Sequence, residues 1–99
     1  MKIWVDDIRL PKVGYTWCRT VNGVINEIEK AEKNNIPIEV IDLDHDAGDF
    51  AICGGDYIKV LDWLEATDRN YPIHIHTMNP IGRMNMKRII QKNNWKEII

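Results

Sequence analysis

The stretch Ile38–Gly48, IEVIDLDHDAG, decides the fold of this chain. An apolar, β-branched run of strand length ends there in Asp42, Asp44, His45 and Asp46. Such a run, bounded by turn-forming residues, is typical of a buried strand. The strand cannot stay buried through the acids after residue 43, because unpaired carboxylates in an apolar interior are very unfavourable. We therefore predict that it surfaces at this point and presents its polar side chains at one end of a sheet.

Two other stretches follow the same pattern. The short apolar run Lys2–Val5 is followed by Asp6 and Asp7, and the run Pro72–Thr77 ends in His76 and Thr77. In an open parallel sheet, ligands bind outside the carboxyl ends of the strands. The sequence therefore predicts that these three polar clusters meet at one site.

The remaining chain alternates between strand and helix patterns. We predict a second strand over Tyr15–Arg19, a helix capped by Thr20, a loop over Gly48–Gly55, a helix capped by Asp56, a third helix opened by Asn79 and Pro80, and a last strand over Trp95–Ile99. This alternation predicts an α/β fold: a small three-layer α/β/α domain with a mainly parallel five-stranded sheet. The crossover after the first strand has no room for a helix. We expect residues 1–99 to form a single domain.

Composition limits the classes of function. Apolar residues make up 44% of the 99 residues and charged residues 28%, which is ordinary for a soluble globular protein. The net charge of −2 does not indicate a nucleic-acid binder. No segment is long and apolar enough to span a bilayer, and Cys18 and Cys53 show no metal-binding spacing, so we expect a cytoplasmic protein with reduced thiols. The basic residues after position 82 form either a solvated helix face or a phosphate-facing patch.

The polar clusters favour a metal ion on one side of the predicted site. The carboxylates of Asp6, Asp7 and Asp44 are hard ligands suited to a divalent cation such as Mg²⁺ or Mn²⁺. Adding His45 or His76 would widen the choice toward Fe²⁺ or Zn²⁺. A plainer interpretation is that these acids are turn and cap residues.

The opposite side of the predicted site favours an anion. The helix that begins at Asn79 points its positive end toward the same edge, Gly82 allows a close approach of backbone, and Arg83 lies in the first turn. Arg9 could reach the site from the first loop. An acidic metal site facing these groups suits a phosphate ester, with histidines as general acid and base near neutral pH. His74, two residues deeper in its strand than His76, fits the role of a hydrogen-bonded core histidine better than a catalytic one.

Three motifs carry a resemblance to a known family. DDIRLP at Asp6–Pro11, LDHDAG at Leu43–Gly48 and HTMNPIGRMNM at His76–Met86 look like the cyclic-phosphate-processing receiver-like domains, and the resemblance covers nearly the whole chain. These are small, mostly phage and bacterial proteins proposed to act on cyclic phosphate ends of RNA or on nucleotides. The resemblance implies a receiver-like, flavodoxin-like fold. It also implies a nucleotide or RNA-end phosphate as the partner.

The resemblance also assigns roles to individual residues. It implies metal-site acids at positions 6, 7 and 44 and a phosphate contact at Arg9. It implies active-site roles for His45, Asp46, His76, Thr77 and Asn79. The chain departs from signalling receivers, which place a lysine at the end of the fifth strand, whereas Lys96 lies near the start of the last predicted strand.

Three hypotheses follow for the function. The first is a metal-assisted phosphoesterase that opens a cyclic phosphate, with His45 and His76 transferring protons. The second is a module that binds a cyclic nucleotide or RNA end without cleaving it. The third, which the histidines around Asp44 disfavour, is a receiver that is phosphorylated on this aspartate.

Overall fold

The computed structural model describes all 99 residues, Met1 to Ile99, as four strands, three α-helices and one 3₁₀ helix. In chain order these are β1 (Lys2–Val5), β2 (Tyr15–Cys18), α1 (Val21–Lys33), β3 (Val40–Leu43), the 3₁₀ helix (Gly48–Cys53), α2 (Ile58–Ala66), β4 (Ile73–Ile75) and α3 (Pro80–Lys92). The segment predicted as a loop over Gly48–Gly55 therefore contains the 3₁₀ helix.

The four strands form one parallel sheet in the order β2-β1-β3-β4. No helix connects β1 to β2, as predicted. The register places Trp4 beside Asp42 and Asp42 beside His74. Because directly paired residues of neighbouring strands point to the same face, these three side chains share one face of the sheet.

Two helix starts follow their predicted caps, and one does not. The Thr20 hydroxyl accepts a hydrogen bond from the Gly23 N–H at 2.8 Å, and the Asn79 side chain accepts one from the Gly82 N–H at 2.9 Å. Asp56 does not cap α2. Its carboxylate instead accepts a hydrogen bond from the Ala47 N–H, so it holds the loop after β3.

The prediction of five strands is wrong. The predicted last strand, Trp95–Ile99, contributes one isolated parallel bridge between Ile73 and Glu97. The Ile73 N–H donates to the Lys96 carbonyl, and the Ile98 N–H donates to the Ile73 carbonyl. These two hydrogen bonds both involve one residue of β4, so the pairing does not extend into a ladder.

The prediction of three layers is also wrong, because all three α-helices pack on the same face. A single apolar cluster combines side chains from β1, β3 and β4 with side chains from every helix: Ile3, Val5, Ile41, Leu43, Ile73, Ile75, Val24, Ile28, Leu61, Leu64, Met86 and Ile90. The chain moves in one direction across the sheet from β2 to β3 to β4. Right-handed crossovers therefore place the connecting helices on one side.

The opposite face of the sheet has no helix. It carries Trp4, Asp42 and His74, and the connection between β1 and β2 partly covers it. The Trp4 indole N–H donates to the Arg9 carbonyl at 2.9 Å, and the Lys12 ammonium lies 5.8 Å from the centre of the Trp4 ring. We call this side the open face. Its polar side chains lie under a loop instead of a helix, which leaves part of them accessible.

Candidate active site

His76 is held between two buried aspartates. Its Nδ1 lies 2.7 Å from Asp42 Oδ1 and its Nε2 lies 2.8 Å from Asp6 Oδ2. Both aspartates are only 1% exposed. The imidazole also stacks on Trp4, with ring centroids 4.1 Å apart and planes 5° apart. Contacts at both nitrogens and on one ring face fix the orientation of this side chain.

The charges of this group favour an imidazolium between two carboxylates. Burial alone would lower the pKa of His76, but the hydrogen bonds and charges of Asp42 and Asp6 outweigh it and raise the pKa. Burial opposes ionisation of Asp42, yet its hydrogen bonds from the two histidines, His76 and His74, lower its pKa. The protonated ring satisfies both acids by donating from both nitrogens.

Asp6 also organises the first turn after β1. Burial would raise its pKa, but hydrogen bonds from the Arg9 and Ile8 N–H groups to Oδ1, together with His76, lower it. The turn brings the Arg9 guanidinium to 3.5 Å from Asp6 Oδ2 and 3.7 Å from Asp44 Oδ2. Arg9 therefore lies between two of the predicted metal-site acids and partly neutralises them.

Asp6, Asp7 and Asp44 lie close enough to influence one another. Burial raises the pKa of Asp7 first, and the negative charges of Asp6 and Asp44 raise it further. A Cβ on Gly48, which has a φ of +55°, would lie 2.4 Å from Asp7 Oδ2. Glycine at position 48 thus leaves room for the third carboxylate. The three acids, which we call the acid group, carry more negative charge than Arg9 alone neutralises.

Two of these acids, Asp6 and Asp44, belong with His76 to a group of side chains that could hold a metal ion, and Asp7 lies outside that group. Ligand atoms of Asp6, Asp44 and His76 all lie within 4.8 Å of one another. Because His76 Nε2 already contacts Asp6, the carboxylate oxygens of the acid group are the readier ligands. Carboxylate oxygens are good ligands for divalent cations, and a bound cation would reduce the repulsion between the carboxylates.

His45 and Asp46 form a second group beside the acid group. The His45 backbone N–H donates to Asp44 Oδ1 at 2.7 Å, and its Nδ1 lies 2.9 Å from Asp46 Oδ1. The ring packs on Gly82, where a Cβ would lie 2.5 Å from His45 Cγ. Asn79 Nδ2 lies 3.3 Å from Asp46 Oδ2. Four predicted site residues (His45, Asp46, Asn79 and Gly82) are therefore in contact where α3 begins.

The start of α3 offers less to an anion than the sequence indicated. Pro80 has no N–H, and the N–H groups of Gly82 and Arg83 donate to Asn79. This leaves the Ile81 N–H in the first turn. Arg83 itself donates to the Ile75 and Thr77 carbonyls, at 3.4 and 2.8 Å, and so braces the connection between β4 and α3.

Thr77 and the later basic residues have structural partners. Thr77 is buried, and its hydroxyl accepts a hydrogen bond from the Asn79 N–H at 3.1 Å. Lys87 lies 2.5 Å from Glu97, and Lys92 lies 3.4 Å from Glu65. The basic stretch is therefore partly neutralised. It borders a groove of about 520 Å³ along α3.

A comparison with protein families assigns the chain. The model of the cyclic-phosphate processing receiver domain matches residues 1–92. The chain belongs to this family. Searches of curated proteins and of solved structures found no significant match. No helix of the chain has the length and hydropathy needed to cross a membrane.

Sequence reasoning did not predict that three residues, Asp42, Trp4 and His74, surround His76 in this receiver domain. Asp42 and Trp4 contact His76 directly, and His74 Nδ1 lies 2.8 Å from Asp42 Oδ1. The prediction of a hydrogen-bonded histidine at position 74 agrees with this contact, although the side chain is 29% exposed. The available signal was Asp42 itself, because an acid inside an apolar strand needs a partner. Identifying that partner requires the register of β3 against β4.

Proposed function

We propose that this receiver domain is a divalent-metal-assisted phosphoesterase that hydrolyses a cyclic phosphate, such as the 2′,3′-cyclic end of an RNA or a cyclic nucleotide. The observation that carries the proposal is the position of the Arg9 guanidinium between the Asp6 and Asp44 carboxylates at the ends of β1 and β3, with Asp7 close enough for their charges to raise its pKa. This arrangement puts cation ligands next to a cationic side chain that can bind phosphate. The family description, cyclic-phosphate processing, supports the same class of substrate.

The carboxylates of the acid group are the residues that would hold the cation. A bound divalent cation polarises phosphate oxygens and makes nearby water more acidic. The His76 imidazolium keeps Asp6 ionised and oriented, because its Nε2 donates to Asp6 Oδ2. His76 therefore acts in this proposal as a positioning residue. This revises the expectation that it transfers protons, since both of its nitrogens are engaged.

Arg9 is the side chain best placed to bind the phosphate. Its guanidinium is about half exposed and lies within 4 Å of Asp6 and Asp44 without a short hydrogen bond to either. An incoming phosphate can therefore draw Arg9 away from the acids. The Ile81 N–H adds one donor at the start of α3. Arg83 contributes indirectly, by fixing the Thr77 carbonyl and the turn that positions this helix.

Hydrolysis requires one proton to leave the attacking water and one to reach the departing hydroxyl. The water oxygen bonds to phosphorus as one of the two ester P–O bonds breaks, which opens the ring to a phosphomonoester. We assign both proton transfers to His45, which accepts the proton from the water and donates one to the departing hydroxyl. Asp46 holds its Nδ1 and leaves Nε2 as the reactive nitrogen, and Gly82 supports the ring.

Turnover of 2′,3′-cyclic nucleotides and of oligonucleotides ending in a 2′,3′-cyclic phosphate tests the proposal, with Mg²⁺ or Mn²⁺ and with chelator. We expect hydrolysis that depends on the cation. Asp44→Asn should reduce kcat/KM at least 100-fold, because it removes a charged ligand, and His45→Gln should reduce kcat by roughly 100-fold or more. Asp62→Asn is the matched control, since Asp62 is exposed on α2, and it should retain wild-type rates.

Two results would overturn hydrolysis as the function. One is the absence of turnover on every cyclic phosphate in either metal. The other is turnover that neither chelator nor Asp44→Asn reduces. Tight calorimetric binding of a cyclic phosphate that stays intact would instead identify a binding module that uses the same residues.

A further inference from the structure

Two histidines and an aspartate converge beneath the open face, apart from the acid group. The Nδ1 atoms of His74 and His76 lie 2.8 and 2.7 Å from the same oxygen, Asp42 Oδ1. Ligand atoms of these three residues all lie within 4.8 Å of one another. Asp42 is 1% exposed, so the sheet contains a buried ionisable side chain. The proposed phosphoesterase does not use His74, and it uses Asp42 only through His76.

The register between β3 and β4 brings these three side chains together. Asp42 pairs directly with His74 across β3 and β4. His76 follows His74 by two residues, so both imidazoles point to the open face. The side chains therefore converge without any special loop conformation. This arrangement is rigid, because two of the ligands lie on strands of a parallel sheet.

We propose that Asp42, His74 and His76 form a binding site for a divalent transition-metal ion, separate from the acid group. Two imidazoles and one carboxylate are a ligand set used by Zn²⁺ in catalytic sites and by Fe²⁺ in oxygenases. Hard cations such as Mg²⁺ prefer oxygen ligands alone. The two groups of ligands in this chain thus select different metals.

The surroundings of His76 match those of a metal-bound histidine. A histidine that binds a metal through one nitrogen donates its other N–H to a carboxylate or carbonyl. Nδ1 of His76 faces Asp42 and His74, and Nε2 faces Asp6 Oδ2. A metal on Nδ1 replaces the proton there and leaves the Nε2 hydrogen bond to Asp6 intact. Asp6 is therefore the outer carboxylate of this site.

The open face gives an ion access to the site. A cavity of about 210 Å³ reaches Asp42 and His74 and is lined by Lys12, Tyr15 and Val40 and by the end of the chain. Lys12 Nζ lies 3.7 Å from Asp42 Oδ2, and its side chain is 60% exposed, so it can withdraw. Tetrahedral zinc would need ligand separations of about 3.3 Å. The His74 side chain is partly exposed, which allows this small outward shift.

Titration with Co²⁺, followed by its visible absorption, tests the site. We expect bands typical of four- or five-coordinate Co²⁺ with nitrogen ligands, reversed by one equivalent of Zn²⁺. His74→Gln should weaken Co²⁺ affinity at least tenfold, because it removes one imidazole from the partly exposed edge. Circular dichroism checks that the variant stays folded. His45→Gln, which removes an imidazole outside the cluster, should bind Co²⁺ as the wild type does.

Asp7→Asn separates this site from the proposed phosphoesterase. It removes a carboxylate of the acid group and should leave the Co²⁺ bands unchanged while weakening Mg²⁺ or Mn²⁺ binding. Three results would overturn the second site: no Co²⁺ absorption in the wild type, an unchanged Co²⁺ affinity in His74→Gln, or bands lost in Asp7→Asn. None of these results depends on whether the protein hydrolyses a cyclic phosphate.

Discussion

At the scale of single residues, Gly82 controls the position of His45. A Cβ at position 82 would lie 2.5 Å from His45 Cγ, close to the ring's attachment point, so the imidazole would have to move. Gly82→Ala should therefore lower kcat at least tenfold in the cyclic-phosphate assay by displacing His45. Alanine by itself favours a helix over glycine by about 1 kcal/mol, so the loss would not arise from a weaker α3.

A double-mutant cycle with His45→Ala checks this explanation. In the His45→Ala background the clash is gone, so Gly82→Ala should be neutral or raise the free energy of unfolding. In the wild type it should lower that free energy, which gives a coupling of about 1 kcal/mol or more. Urea unfolding of the four proteins measures the coupling. Additive effects would mean that His45 and Gly82 do not constrain each other.

The sequence predicted the acids at the strand ends better than the chemistry around His76. Asp6, Asp7 and Asp44 follow apolar runs, so their position at the carboxyl ends of strands follows from the hydrophobic pattern. The contacts of His76 with Asp42 and Trp4 depend on the register between strands distant in sequence. Apolar patterning fixes which face a residue takes but leaves open which residue of the next strand lies beside it.

At the scale of elements, an ion pair joins α1 to the connection between α2 and β4. Arg69 donates two hydrogen bonds of 2.9 Å to the Glu32 carboxylate, and the Tyr71 hydroxyl donates to it as well. These bonds, from Arg69 first and then Tyr71, lower the pKa of Glu32 below its usual 4.5. A group with a lowered folded pKa stabilises the fold above its unfolded pKa and loses that effect as pH falls.

Glu32→Gln should therefore destabilise the protein only where the carboxylate is ionised. At pH 7 we expect a loss of about 1 kcal/mol or less, because the pair is partly exposed to solvent. The difference from wild type should shrink as pH drops below 4.5. Urea unfolding at pH 7, 4 and 3 measures it, with the exposed Asp49→Asn as control. A difference that is constant with pH would assign the effect to packing instead of charge.

The sequence predicted correctly the helix starts that depend only on residues nearby in the sequence. The Thr20 and Asn79 caps formed because each side chain satisfies an N–H three residues later in its own helix. The prediction of a last strand was wrong because its partner, β4, has only three residues and pairs mainly with β3. Strand length can be predicted from apolar runs, but pairing at a sheet edge depends on how the end of the chain returns from α3.

At the scale of the whole molecule, the absence of one helix explains the open face. The connection from β1 to β2 moves across the sheet opposite to the later crossovers, so a helix there would have packed on the open face over β1 and β2, above Trp4. The sequence correctly predicted that this helix is missing. It did not predict that one face of the sheet would have no helix, because the number of layers depends on the direction in which every crossover runs. The resulting opening contains the hydrogen-bonded side chains of His74, Asp42, His76 and Asp6.

The buried cluster of Asp6, Asp42 and His76 should set the pH at which the whole protein is most stable. The pKa of His76 is raised above 6.5 despite burial. Its contribution to the free energy of unfolding is therefore complete below pH 6.5 and is lost as pH rises through the higher pKa of the folded state. The pKa values of Asp6 and Asp42 lie below 3.8, so their contribution is lost as pH falls through them. In metal-free buffer, the free energy of unfolding of wild type minus His76→Gln should be largest between about pH 4 and 6.5. Urea unfolding from pH 3 to 9 measures it, and the pattern should persist in high salt because the cluster is buried. A difference that grows above pH 7 would show that the folded cluster holds no extra proton and that His76 is neutral there.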